Sequence, residues 1–113
     1  MERITQLTFT ASAYSTALTS KLKGPFDLRV GFASGAWAPA DIEVQVSPDN
    51  TTWYSVDDIT ATRLYYVAGF VTGLLFEIPN VQPMQYFRIR SRTALDVDVV
   101  QAAAILNVEL SEA

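Results

Sequence analysis

Cysteine and histidine are both absent from the 113-residue chain. Without cysteine there is no disulfide frame, no thiolate metal site and no cysteine nucleophile. Without histidine the commonest general base, the usual partner of a nucleophilic serine and the commonest metal ligand are missing. Charge is scarce as well: 18% of the residues are charged, and the formal net charge is −4. Such a surface as a whole does not attract nucleic acid. The longest nearly apolar run, residues 65–76, is too short to span a bilayer and contains Thr72. The opening MERITQLTFT lacks the apolar core of an export signal. These absences lead to the expectation of a soluble, non-enzymatic protein made without an export signal, with no cofactor, metal, nucleic-acid or membrane partner.

Half of the residues are hydrophobic, which argues against disorder. The length suits one domain, 1–113, that buries roughly two-thirds of its unfolded surface without staples. Valine, isoleucine, threonine, tyrosine and phenylalanine abound, and turn residues recur at short intervals. That pattern predicts an all-β sandwich, jelly-roll-like first and immunoglobulin-like as the alternative.

Strands are expected at 4–13, 16–22, 26–32, 41–46, 53–56, 63–72, 74–78, 84–92 and 97–110. Alternation is cleanest at Phe26, Leu28, Val30 and Phe32, a pattern that requires one wet and one dry face. In the first strand Leu7, Phe9, Ala11 and Ala13 share a face, and Leu18 is a core residue of the second. The run AAAIL favours helix by propensity. The period-2 pattern Val100, Ala102, Ala104, Leu106, Val108 and Leu110 continues through it and favours strand.

The segment VQVSPDNTTWYSV holds Ser47, Pro48, Asp49 and Asn50 between two strands. Proline presets a turn, and Asp and Asn bond their own backbone and tolerate left-handed geometry. These residues suffice to reverse a strand. The alternative is a ligand site, with Trp53 as a sugar platform and Asp49 and Asn50 as hydrogen-bonding groups.

In YFRIRSR, Tyr86, Arg88, Arg90 and Arg92 share one face. Either Glu43 or Asp27 on a neighbouring strand answers these charges, or they form a docking stripe for an acidic partner. Asp57–Asp58 and Asp96–Asp98 read as solvated turn residues rather than a calcium site. The loop GAWAPA, with Trp37, and the segment LYYVAGFV contain exposed-looking aromatics. Tyr65, Tyr66 and Phe70 exceed what one strand face buries, so either some suit a subunit interface or both faces of that strand are covered within the monomer.

Together, GPFDLRVGFASGAWAPADIEVQVSPDNTTWYSV and the later YFRIRS resemble small β-sandwich structural proteins of tailed bacteriophage particles. The matching residues are Gly24, Phe26, Leu28, Trp37, Val44, Val46, Ser47, Asp49, Thr52, Trp53, Val56, Tyr86 and Arg88. Asn50 stands where glycine is usual in such hairpins. The resemblance implies a head decoration, or cement, protein. It would be a homotrimer on the capsid surface of the virion that bridges subunits of the major capsid protein, with residues 1–5 and 111–113 as possible extensions. Arg88, Arg90 and Arg92 are then the expected polar contacts, and Trp37, Tyr65 and Tyr66 the apolar ones. The alternative is a glycan-binding module of a tail fibre or baseplate.

Overall fold

The computed structural model describes residues 2–19, 24–82 and 84–113. Nine strands and no helix occur among them: β1 (Glu2–Ser12), β2 (Leu18–Thr19), β3 (Phe26–Gly35), β4 (Ala40–Ser47), β5 (Tyr54–Ser55), β6 (Tyr66–Phe70), β7 (Leu75–Val81), β8 (Tyr86–Arg92) and β9 (Gln101–Glu112). They form two antiparallel sheets. Sheet A runs β1-β9-β3-β7. Sheet B runs β2-β8-β4, and β5 and β6 share the far edge of β4.

The pairing is nested: β1 with β9, β2 with β8, β3 with β7, β4 with β6. This is the double wrapping of a jelly roll. An immunoglobulin-like sandwich would put its first and last strands in different sheets. Here they make the longest ladder of the molecule, from Glu2↔Ser111 to Ser12↔Gln101. Residues 2–5 and 111–113 are therefore held at the sheet rather than extended from it, since Glu112 also faces Phe26 and Ala113 N–H donates to the Pro25 carbonyl.

Alternation drives the packing. Leu7 and Phe9 from β1, Phe26, Leu28 and Val30 from β3, and Ala104, Leu106, Val108 and Leu110 from β9 point inward. Ile42 and Val44 from β4 and Phe87 and Ile89 from β8 meet them from sheet B. The tilted pair Phe26–Phe87, centroids 5.3 Å apart, joins the sheets. A buried side chain of this size contributes roughly 1.5–3 kcal/mol, so this cluster is the main source of stability. Gly35 is fixed by a close approach: with φ of 94°, a Cβ there would lie 2.3 Å from the Ala103 carbonyl oxygen.

Several expected boundaries move. Tyr66–Phe70 replaces 63–72, because Tyr65 takes a φ of 59° and turns the chain into the strand. Trp53 precedes β5 rather than starting it. Pro79–Asn80 does not end β7, which runs on to Val81. The register shifts by one residue opposite Phe26 and Leu28, Asn80 adopts a φ of 54°, and its N–H donates to Asp27 at 2.9 Å. An edge strand tolerates proline and a bulge in this way.

The final strand begins at Gln101, so Val100 and Ala102 are exposed rather than inward. Ala11, with a φ of 47°, is also exposed. Leu18 packs against the core as expected; residues 20–22 of its expected strand, and Lys23, lie outside the described residues.

Candidate functional site

On sheet B, Ile42, Val44 and Val46 face the core, so Glu43, Gln45 and Ser47 face away from it. Strand alternation assigns that outer face to solvent. Instead Glu43 is completely buried. Residues 56–65 and 93–100 fold over it, and a layer of charge fills the space.

Glu43 lies opposite Arg90 in the β4–β8 ladder and Tyr66 on the β6 side. Its Oε1 accepts from Arg90 Nη1 at 2.8 Å, and its Oε2 accepts from Arg63 Nη1 at 3.1 Å. Arg92 Nη1 is 3.6 Å from the same carboxylate. Arg90 also donates to Asp98 through Nε at 2.8 Å and to Asp96 through Nη1. Arg63 adds Asp57. Three arginines thus meet four carboxylates, and each carboxylate except Glu43 comes from a covering loop. Burial alone would lower the Arg90 pKa; hydrogen bonds to Glu43, Asp96 and Asp98 outweigh it and hold that pKa up. The Arg90 hydrogen bond holds Asp96 below the usual carboxylate range.

This arrangement corrects the docking-stripe expectation. Arg90 and Arg92 are buried, with 8% and 5% of their surface exposed, and serve the interior of the layer. Of the two acids named for them, Glu43 is the partner; Asp27 instead accepts the Asn80 N–H. Asp57, Asp96 and Asp98 are not merely solvated turn residues but arginine partners. Asp58 does organise a turn, accepting from the Thr60 and Thr62 N–H groups.

Arg88 differs from its two neighbours on β8. Its guanidinium carbon lies 3.9 Å from the Tyr14 ring centroid and 4.2 Å from that of Trp53. Its Nε donates to Gln45 at 2.9 Å. This explains Trp53: the residue after the hairpin stacks on Arg88 and ties the hairpin to β8.

The hairpin is built as its residues suggest. Ser47 Oγ accepts from the Asp49 and Asn50 N–H groups, Asp49 Oδ1 accepts from Thr51 and Thr52 N–H at 2.9 and 2.8 Å, and Asn50 sits at a φ of 61°. Those backbone donors, Thr52 first, lower the Asp49 pKa. Turn chemistry accounts for Asp49 and Asn50 without a ligand.

The aromatic residues are largely committed inside the molecule. Trp37 packs edge-on against Phe9 and Phe70 at 5.6 and 5.0 Å, and its buried Nε1 has no hydrogen-bond partner among the described residues. Tyr65 packs against the core, and its hydroxyl accepts from Gln82 N–H. The Tyr66 hydroxyl donates to Asp41, which also accepts from Gly69 N–H at 2.7 Å. That contact with Asp41 raises the Tyr66 pKa. Trp37, Tyr65 and Tyr66 therefore do not form the open apolar contact surface expected of them. Tyr65 and Tyr66 do line a cleft of about 320 Å³ between β6 and β7, together with Glu77, Asn80 and Gln82.

The open apolar surface is aliphatic and lies elsewhere. Residues 71–74 and 93–100 connect strands at the same end of the sandwich. Val71, Leu74, Leu95, Val97 and Val100 there are 47–88% exposed. Leu75, next in the chain to Leu74, is exposed on the outer face of sheet A, where its side chain covers Gly31. A groove of about 310 Å³ follows, lined by Ile4, Leu75, Asn107, Arg29 and Glu109. The sequence signal for this patch was a run of aliphatic residues beside turn formers, which strand periodicity absorbed into the neighbouring strands.

Among the described residues, no group of three or more acidic side chains is disposed to hold a metal ion, and no helix is long and apolar enough to cross a membrane. Comparison with protein-family models, with curated proteins and with solved structures found no match.

Proposed function

We propose that the chain is a structural part of a larger particle, a decoration protein that stabilises a phage capsid by bridging subunits of the major capsid protein. The observation that carries this reading is the aliphatic end of the sandwich. Val71, Leu74, Leu95, Val97 and Val100 lie on the two loops at that end, with Leu75 next to Leu74, and each has about half or more of its surface exposed. Exposed apolar patches of this kind mark surfaces that are covered in an assembly. The resemblance to phage particle proteins supplies the kind of assembly, and the patch supplies the surface.

The rest of the molecule suits a passive, rigid part. Its buried ionisable groups answer one another, Glu43 and Arg90 foremost. A trimer would present three such ends at once, and multivalent attachment gains avidity without new chemistry. Light scattering on the purified protein tests the oligomer: the expected mass is that of a trimer. A stable monomer that also leaves expanded capsids bare contradicts the proposal.

A second reading, a glycan-binding module, is favoured by the cleft between β6 and β7. Tyr65 and Tyr66 offer aromatic surface there, and Glu77, Asn80 and Gln82 offer hydrogen-bonding groups. Titration calorimetry against a glycan panel decides it. Saturable heat that is lost in Tyr66→Ala supports this reading, and the absence of heat across the panel removes it.

A further inference from the structure

We infer that Arg88, held against Tyr14 and Trp53, is a receptor for a carboxylate presented by a protein partner. The inference rests on the assembly reading for its partner, and on the geometry of one side chain for its chemistry.

The chain has six arginines, at 3, 29, 63, 88, 90 and 92, of which Arg3 on β1 donates to the Thr19 carbonyl. Arg29, Arg63, Arg90 and Arg92 each have a carboxylate within ion-pair distance. Arg88 has none among the described residues. Its neighbours on the same row, two and four residues on, take Glu43, Asp96 and Asp98. The register explains the difference: Arg90 faces Glu43 across the ladder, whereas Arg88 faces Gln45, a neutral amide.

The amide fixes Arg88 without neutralising it. Gln45 Oε1 takes the Nε hydrogen at 2.9 Å. The guanidinium carbon lies over the rings of both Tyr14 and Trp53, at 3.9 and 4.2 Å from their centroids. What remains is the outer edge with the two terminal nitrogens. Neither is a buried atom lacking a partner, whereas Arg92 Nη1 is. A planar fork held in this way matches a carboxylate in two-point contact, and little conformational freedom is left to lose on binding.

Burial acts in the same direction. Desolvation is the leading cause that lowers the Arg88 pKa, and a partly desolvated cation gains more from a charged partner than one in water does. An arginine is charged at any ordinary pH.

A protein carboxylate fits better than an acidic sugar. A sugar ring needs an open aromatic face, and the Tyr14 and Trp53 faces at this site are turned onto Arg88. The edge that remains recognises a carboxylate on a slender side chain. Tyr14 is itself anchored by Asp98, its hydroxyl donating to Oδ2 at 2.9 Å. Asp98 is held in turn by Arg90, so the clamp is continuous with the buried ion cluster.

The test is a titration of the isolated protein with a glutamate-rich peptide at constant ionic strength, without capsids. The side-chain NMR signals of Arg88 are followed. Trp53 fluorescence is read in a Trp37→Phe background. The expected result is a saturable shift at Arg88, with affinity reduced about tenfold in Arg88→Lys, which keeps the charge but loses the fork. Equal thermal unfolding of the two proteins shows that the clamp has not collapsed. Where the lysine variant fails to fold, the wild-type Arg88 signals alone decide. Unmoved Arg88 signals overturn the inference, as does an undiminished response in the lysine variant. Binding of an oligogalacturonate without binding of the peptide overturns the protein source of the carboxylate. Peptide binding without particle binding leaves the carboxylate site standing and counts against the decoration role alone.

Discussion

Glu43 and Arg90 face each other across the β4–β8 ladder, Oε1 to Nη1 at 2.8 Å, on a sheet face that alternation gives to water. The carboxylate is nonetheless fully buried, because two loops close over it and bring Arg63 and Asp96 with them. Replacing both partners of such a buried ion pair with a well-packed apolar pair is often neutral for stability. Removing one partner alone is not.

Glu43→Ala leaves Arg63, Arg90 and Arg92 facing one another around a cavity. A loss of about 3–5 kcal/mol in unfolding free energy is expected from chemical denaturation. A loss below about 1 kcal/mol would mean that water reaches the cluster and screens it.

The same cluster contributes to the acid limit of stability, beside Asp49 and Asp58, which the Thr52 N–H and the Thr60 hydroxyl hold below the usual carboxylate range. Asp96 has its pKa held below the usual carboxylate value by the Arg90 hydrogen bond. A carboxylate with a depressed pKa in the fold contributes stability that is complete above its unfolded value, about 3.9, and is lost as pH falls through the folded value. At the alkaline side, desolvation and Asp98 raise the Tyr14 pKa, and the Asp41 contact raises that of Tyr66. Their contribution is complete below the unfolded value of about 10 and fades as pH rises through the folded value. Urea unfolding across pH should therefore give a broad plateau with an acid-side fall, and Asp96→Asn should flatten that fall.

The hairpin predicts a pair of substitutions with different outcomes. Asn50 occupies a left-handed conformation at a φ of 61°. Asn50→Gly should change the melting temperature little. Asn50→Val should cost about 1–2 kcal/mol, the steric penalty of that conformation for a branched side chain. Equal melting temperatures for the two variants would show that the turn relaxes.

Trp37 gives a test of packing against hydrogen bonding. Its ring bridges Phe9 and Phe70, and its buried Nε1 has no partner among the described residues. Trp37→Phe removes the lone donor and keeps most of the ring, so the loss should stay below about 1.5 kcal/mol. Trp37→Ala should cost about 3–5 kcal/mol. A larger loss for phenylalanine than for alanine would contradict this placement.

Much of the sandwich was legible in the sequence, and the reasons for the misses are physical. The strict alternation of Phe26, Leu28 and Val30 and of Ala104, Leu106, Val108 and Leu110 locates both central strands of sheet A. The hairpin at 48–53 was legible because its turn chemistry is local. The burial of Glu43 was not, because it depends on loops 56–65 and 93–100 crossing a face that looks wet from β4 alone. The roles of Arg88, Arg90 and Arg92 diverge for a similar reason: the register sets Gln45 opposite the first and Glu43 opposite the second. Tyr65 broke the expected 63–72 strand through a backbone conformation that a bulky aromatic seldom adopts. The aliphatic end was hidden because Val97 and Val100 fall within the expected strand 97–110, and Val100 fits the even-numbered phase that continues after Gln101.

The account turns on whether the aliphatic end is covered in a particle. Cosedimentation with expanded capsids, comparing wild type with a Leu74→Ser, Leu95→Ser variant, tests this most directly. Both leucines are largely exposed, at 59% and 88%, so the fold should keep its melting temperature. The account predicts that wild type pellets with capsids and the folded variant stays in solution. Equal pelleting of the two, or a wild type that never pellets, would contradict it.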